Sequence, residues 1–160
     1  MAEAPETSGP EGAALARACA RYLASRKTFD ERLEARLDAV GPGTSRMSMT
    51  LSDTHTNFYG TAHGGALFAL ADSAFAYACN SFGKVTVAAG ASIDFLRPGH
   101  VGDRLTAEAA LVHRVGRTGL YDITITNQAG DLVARFNGKA HETREDLPLD
   151  HGPASEGASS

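Results

Sequence analysis

Only two cysteines occur in the 160 residues, Cys19 and Cys79. Two are too few for a disulfide framework, and their surroundings have no metal-ligand spacing, so buried reduced thiols are the simple expectation. Positive charge is in short supply as well. Fifteen Lys and Arg stand against 19 Asp and Glu, for a formal net charge of -4, and the pI is about 5.8. That balance argues against a nucleic-acid or anionic-membrane partner, since both need a broad basic face. A local cluster of Arg and Lys around a small anionic ligand stays open. Long hydrophobic runs are missing too. The richest stretch, residues 66–78, is interrupted by Asp72 and Ser73 and is too short to span a bilayer. The first ten residues lack the basic and apolar regions of a signal peptide. A cytoplasmic location is the expectation that follows.

Several catalytic templates are absent in the same way. There is no Gly-x-Ser-x-Gly elbow, no P-loop and no dinucleotide fingerprint, so no cofactor is expected. Of the six histidines, His100, His113, His141 and His151 fall in turn, strand or tail contexts. His55 and His63 lie near each other but have no carboxylate at metal spacing, and no metal site is expected.

What is present is one domain's worth of patterned chain. Apolar residues make up 42% and charged residues 21%, the proportions of a globular protein. Residues 1–11 and 147–160 are small, polar and rich in Pro and Gly and read as disordered ends around a single domain at 12–146. Residues 13–26 read as a helix with Leu15, Ala18, Cys19, Tyr22 and Leu23 on one face. Residues 33–40 alternate like a strand but have propensities that also allow helix, and Gly41-Pro42-Gly43 then marks a turn. Met47, Met49 and Leu51 alternate as a half-buried strand. A helix over about 65–80 is apolar nearly all round, which predicts burial in the middle of the fold. Four strand-like runs follow at 84–96, 103–114, 119–127 and 131–142, in what reads as a meander. A buried helix followed by an antiparallel meander predicts an α+β domain whose sheet wraps the helix.

Chemistry concentrates on that helix. Asp72 is surrounded in sequence by Leu70, Ala71, Ala74, Phe75 and Ala76. A carboxylate buried there needs partners, a raised pKa or a catalytic role, unless it lies on a wet or partner-facing side of the helix. At the helix start, Gly64 and Gly65 offer bare backbone N–H groups to an anion or a polarised carbonyl, although a glycine-rich turn into a helix is common. Phe68, Phe75 and Tyr77 are either core or the lining of an aromatic pocket. Gly64 and Asp72 are eight positions apart, about 12 Å along a helix. A reacting carbonyl must lie about 3 Å from its donor and close to its attacker. One copy of the helix therefore cannot serve one substrate with both groups, and two antiparallel copies can. At least a homodimer is expected.

Residues 44–142 resemble the hotdog thioesterases, specifically the phenylacetate-degradation (PaaI-type) acyl-CoA thioesterases. The resemblance rests on Asn57 with His63-Gly64-Gly65, then on the helix run from Leu67 through Asp72-Ser73 to Asn80. It continues through Ile93-Asp-Phe-Leu-Arg-Pro-Gly99, Gly102-Asp103, Thr118-Gly119-Leu-Tyr-Asp122 and Phe136-Asn-Gly-Lys139. It implies a hotdog fold, with an extra helix at the N-terminus, and hydrolysis of an acyl-CoA such as phenylacetyl-CoA. It implies Asp72 as nucleophile or general base, the Gly64 N–H on the thioester carbonyl, Asn57 orienting substrate or water, and His63 and Ser73 lining the site. It further implies a tetramer built of dimers. Gly65, Arg97, Arg117, Thr118, Gly119 and Lys139 are candidates for holding the substrate, the basic residues opposite the coenzyme phosphates, with Arg114 beside them. One departure is visible: relatives often carry a serine early in the strand after the helix, where this chain has Val87-Ala-Ala-Gly90, with Ser92 as a possible substitute. A hotdog hydratase and a non-catalytic acyl-CoA-binding domain are the alternatives. The hydratase would want a histidine on the helix beyond His63, and none is there.

Overall fold

The computed structural model describes residues 9–26 and 29–149. Helix α1 (Pro10–Ala24) and a short α2 (Phe29–Leu33) precede a hairpin of β1 (Arg36–Gly41) and β2 (Thr44–Thr50). The loop through a 3-10 turn at Asp53–His55 leads into α3 (Gly64–Cys79). Then come β3 (Lys84–Phe95), β4 (Arg104–Val115), β5 (Thr118–Thr126) and β6 (Leu132–Asp146). All pairings are antiparallel, in the order β1-β2-β4-β5-β6-β3.

The turn chemistry decides the ambiguous segment. Gly41 pairs with Thr44 across the Gly-Pro-Gly corner, with Gly43 at φ +67°, and this hairpin makes residues 36–41 a strand. The expected meander holds only for β4-β5-β6. Strand β3 pairs with β6 at the far edge, because α3 crosses the sheet and delivers the chain there. The segment between β3 and β4 then carries it back to pair with β2.

The sheet wraps α3. Leu67, Leu70, Ala71, Ala74, Phe75 and Ala78 are buried against Met47, Met49, Leu105, Ile123 and Phe136. Two glycines of the recognisable blocks serve this packing. A Cβ on Gly138 would meet the Phe75 ring at 2.9 Å, and one on Gly99 would meet Leu51 at 2.8 Å. The expectation that α3 is enclosed all round needs correcting. Gly65, Phe68, Asp72 and Ala76 follow one another at helical spacing along a side the sheet leaves uncovered, and Gly65, Phe68 and Ala76 are exposed. The inner face of α1 also differs from the expected one. Gly12, Ala16, Cys19 and Ala20 are buried, while Leu15 and Tyr22 are only half-buried, because small residues let the helix axis approach its neighbours closely. Both cysteines are buried and free.

The domain edges shift a little from the expected ones. Pro10 and Glu11 already belong to α1, and Leu147 is buried with its N–H on the Gly83 carbonyl. The rest of both predicted disordered ends, 1–8 and 150–160, lies outside the described residues. Among the described residues no helix is long and apolar enough to cross a membrane.

Asn80 anchors α3 to β3. Its Nδ2 donates to the Ala76 and Thr86 carbonyls at 3.0 and 2.9 Å, and its Oδ1 accepts the Thr86 N–H at 2.9 Å. Asn80 is 7% exposed, so water cannot replace these bonds cheaply. Asn80→Ala should therefore lower unfolding stability by roughly 2–4 kcal/mol, the penalty of orphaned buried polar groups, as read by urea denaturation.

Candidate active site

The loop before α3 is held before any ligand arrives. Asn57 Oδ1 accepts from the N–H of Tyr59 at 2.9 Å and of Thr61 at 3.3 Å, and Asn57 N donates to the Thr61 carbonyl at 2.8 Å. Gly60 closes this turn at φ +77°. The side chain expected to orient substrate or water is thus engaged first in shaping its own loop. The loop is tied to the segment between β3 and β4 by Ala62 N, which donates to the Gly99 carbonyl at 2.8 Å.

His63 is the N-cap of α3, and its Nδ1 accepts the Gly65 N–H at 2.8 Å. That bond separates the two glycines. The Gly65 donor is consumed by the protein itself, whereas the Gly64 N–H has no acceptor among the described residues. Gly64 is left as the bare donor at the positive end of a 16-residue helix. It lines an open cleft of about 450 Å³ with Asn57, Thr61, Phe95 and Arg97. A Cβ at Gly64 would come within 3.0 Å of the Phe95 ring, so any side chain there pushes against the cleft wall.

Asp72 lies two turns further along, half-buried on the uncovered stripe of α3. Its carboxyl is held above the ordinary carboxylate value, first by burial and then by the nearby charge of Asp30. Asp30 comes from α2, a helix that sequence patterning missed. It accepts a hydrogen bond from Ser73 Oγ, so the serine beside Asp72 faces α2. Phe75 is fully enclosed core, in contact with Tyr121 and Phe136, and Tyr77 is buried, while Phe68 is partly exposed on the stripe.

The remaining expected residues form separate groups. Arg97 joins Asn57 and Gly64 in the cleft. Arg117, Thr118 and Gly119 sit at the β4–β5 turn, where the Arg117 carbonyl accepts from Glu142 N. Arg114 is ion-paired with Glu142 and stacks on Phe82, which accounts for it structurally. Lys139 shares a second groove with Gly90, Ser92, Val112 and Leu120. Ser92 is therefore in a groove separate from the Gly64 cleft. Within one protomer the cleft, Asp72 and the Lys139 groove do not merge. Another cavity, of about 510 Å³, lies between α1, α2 and β1, includes Asp30 and Tyr77, and shares no residue with the cleft. No group of three His, Cys, Asp or Glu converges among the described residues.

A sheet wrapped on a helix, with an open N–H at the helix start and a carboxylate on its bare side, defines an acyl-transfer scaffold, and comparison with known proteins agrees. Residues 59–134 match the thioesterase superfamily model. The chain belongs to this superfamily, among the PaaI-type acyl-CoA thioesterases. It is 52% identical over 103 residues to acyl-coenzyme A thioesterase PaaI of Escherichia coli, covering 64% of this chain and 74% of that protein. The crystal structure of the E. coli PaaI protein from the phenylacetic acid degradation operon superposes with a TM-score of 0.81 at 40% identity, covering 84% of this chain and 97% of that one. The crystal structure of a hypothetical thioesterase protein from Streptococcus pneumoniae with coenzyme A is similar at TM-score 0.68 and 29% identity, over 71% of this chain and 91% of that one.

The raised Asp72 carboxyl has a consequence for stability. A carboxyl raised in the folded state binds its proton more tightly than in the unfolded chain. Its stabilising effect is therefore present at low pH, and stability falls as pH rises from the ordinary aspartate value through the folded one. Asp72→Asn removes the charge that burial disfavours. Thermal melts should show a higher Tm than wild type at pH 7, with the difference narrowing as the buffer approaches the ordinary aspartate pKa.

Proposed function

We propose that this chain hydrolyses aryl-acyl-CoA thioesters, phenylacetyl-CoA foremost, at sites shared between two protomers. The observation that carries this reading is the pairing of one free helix-start N–H, at Gly64, with one disfavoured carboxylate on the bare side of the same helix, at Asp72. Acyl-CoA hydrolysis is the activity of the PaaI relative, and the S. pneumoniae neighbour holds coenzyme A. The aryl preference is drawn from the operon in which the E. coli protein occurs.

In this mechanism the thioester carbonyl rests on Gly64 N–H, where the helix dipole stabilises the negative charge that develops on oxygen. Asp72 of the partner subunit either takes a proton from the attacking water and passes it to the leaving thiolate, or attacks the carbonyl carbon itself. In the second case the C–S bond breaks, the thiolate takes a proton from water, and a second step in which water cleaves the mixed anhydride releases the acid and restores the carboxylate. A raised carboxyl is the stronger base of its kind as long as it is ionised at the working pH. Gly64 and Asp72 of one chain are separated by about 12 Å of helix, so each site draws on both chains. Two surfaces suit that assembly. The uncovered α3 stripe is one, and the outer edge of β3, a 12-residue strand exposed over most of its length, is the other. A tetramer would pair such dimers. Arg97 is the basic group already in the cleft, and Arg117, Thr118, Gly119 and Lys139 can reach the coenzyme only if a second protomer brings them to it.

Asp72→Asn should lower turnover of the best thioester by roughly 10²- to 10⁴-fold. Retained turnover across a panel of acyl-CoAs would remove Asp72 from the mechanism. The panel is read by free-thiol release alongside enoyl hydration, so a hydratase would declare itself. Mixing Asp72→Asn subunits with subunits carrying Gly64→Val, each inactive alone, should restore activity once subunit exchange is verified by mass spectrometry. Hybrids that stay inactive would place the whole site within one chain.

A further inference from the structure

One acidic group reaches α3 without belonging to the family motif. Asp30, in the first turn of α2, accepts the hydrogen bond from Ser73 Oγ. A serine inside a helix commonly satisfies its hydroxyl on the carbonyl four residues back. Here it turns to a carboxylate on another element, a charge-assisted bond about twice as strong as a neutral one. The segment that presents Asp30 is itself firmly set. Ala35 N donates to the Asp30 carbonyl at 3.0 Å, and Glu34 ends α2 at φ +56°, a left-handed conformation that non-glycine residues adopt reluctantly.

We propose that Asp30 is a positioning residue for the thioesterase reaction: it takes the Ser73 hydroxyl, fixes the turn of α3 that carries Asp72, and directs a second negative charge toward that carboxyl. This rests on Asp72 acting as the base or nucleophile.

The groups around the pair are few. Asp30, from α2, is bonded to Ser73, the neighbour of Asp72, and its charge helps to hold the Asp72 carboxyl up, after burial. On α3 itself, the Cys79 thiol is pushed up to about 12, mainly by burial and in smaller part by Asp72. The Tyr77 phenol is raised by burial and then by Asp30. Arg17, Arg21, Glu31 and Arg36 share the cavity wall with Asp30. The Arg36 guanidinium is drawn to Asp38 at 3.1 Å, and Arg17 and Arg21 have no salt bridge among the described residues. Among the described residues no guanidinium forms a salt bridge with Asp30, and its charge is felt at Asp72. A carboxylate kept basic by a neighbouring charge accepts a proton more readily, which is what hydrolysis asks of it.

The test uses Asp30→Asn, which keeps the shape and an acceptor while removing the charge. The expected result is a kcat lower by roughly three- to tenfold with KM little changed. The acid limb of kcat/KM should move to lower pH, and carbon NMR of the substrate-free enzyme should show Asp72 titrating lower by the same direction. Asp30→Glu should keep the limb near its wild-type position. The losses from Asp30→Ala and Ser73→Ala should be less than additive in kcat, because each removes the same Ser73–Asp30 contact. An Asp72 titration that does not move in Asp30→Asn, or fully additive losses, would overturn the proposal. Asp30→Ala supplies a second uncharged variant should Asn fold poorly. The NMR titration needs no turnover, so its failure is distinct from the failure of the Asp72 mechanism, which Asp72→Asn tests directly.

Discussion

A helix that must keep a carboxylate can be wrapped by a sheet on all sides but one, and the rest of this structure follows from that constraint. Burying Asp72 completely would leave a charge without solvent or counter-ion, a state proteins avoid by neutralising the group. Helix α3 instead turns its Leu, Ala and Phe positions into the sheet and leaves Gly65, Phe68, Asp72 and Ala76 along an uncovered side. The sheet has to curl to cover what remains. Small residues make this possible: the alanines of α3, Gly138 under the Phe75 ring and Gly99 against Leu51 let chain segments approach to a distance at which a Cβ would clash. The compromise leaves Asp72 partly desolvated, which raises its carboxyl above the ordinary aspartate value.

The same economy appears at the start of α3. Four N–H groups are orphaned at any helix N-terminus, and each that the protein satisfies internally is lost to a ligand. His63 caps one, that of Gly65, and by doing so fixes the orientation of the others. The Gly64 donor that remains is rigid, because Asn57 has already closed the preceding loop with its own side chain. A donor held still before the substrate arrives needs no reorganisation when charge develops on the carbonyl oxygen, which suits Gly64 to the role proposed for it. Asn57 and His63 thus support Gly64 by holding the loop and the helix start in place.

Elements with a strong period were legible in the sequence. Helix α3 was expected at 65–80 and lies at Gly64–Cys79, and the four later strands fall within a few residues of their expected limits. Strand order was not legible, because nothing local in Lys84–Phe95 records that its partner is β6, 40 to 60 residues downstream. The inner face of α1 was misread toward its large apolar residues, since periodicity counts hydrophobicity and the packing here selects for small size at Ala16 and Ala20. Gly64 and Asp72 stand out in the sequence as candidates because glycine at a helix start and a carboxylate in an apolar run violate local expectation. Asp30 was invisible for the opposite reason. An aspartate in the first turn of a helix is ordinary, and only the tertiary contact with Ser73 distinguishes it.

Charge favours dividing the proposed site between subunits. The chain is net negative, acyl-CoA carries phosphates, and the proposed base, Asp72, lies within reach of the charge of Asp30. Gathered in one protomer, the substrate phosphates, Asp72 and Asp30 would repel one another across a partly desolvated cleft. In the divided arrangement each protomer places its electropositive elements together, the Gly64 helix start beside Arg97. Asp72 stays two helical turns away on the same helix. In the proposed mechanism the thioester carbonyl rests on a positive surface and meets the carboxylate of a second chain. Under that proposal, separation along α3 and association across the uncovered stripe are two sides of one requirement, since the distance that prevents catalysis within a chain also keeps a chain's own Asp72 away from its Gly64 helix start.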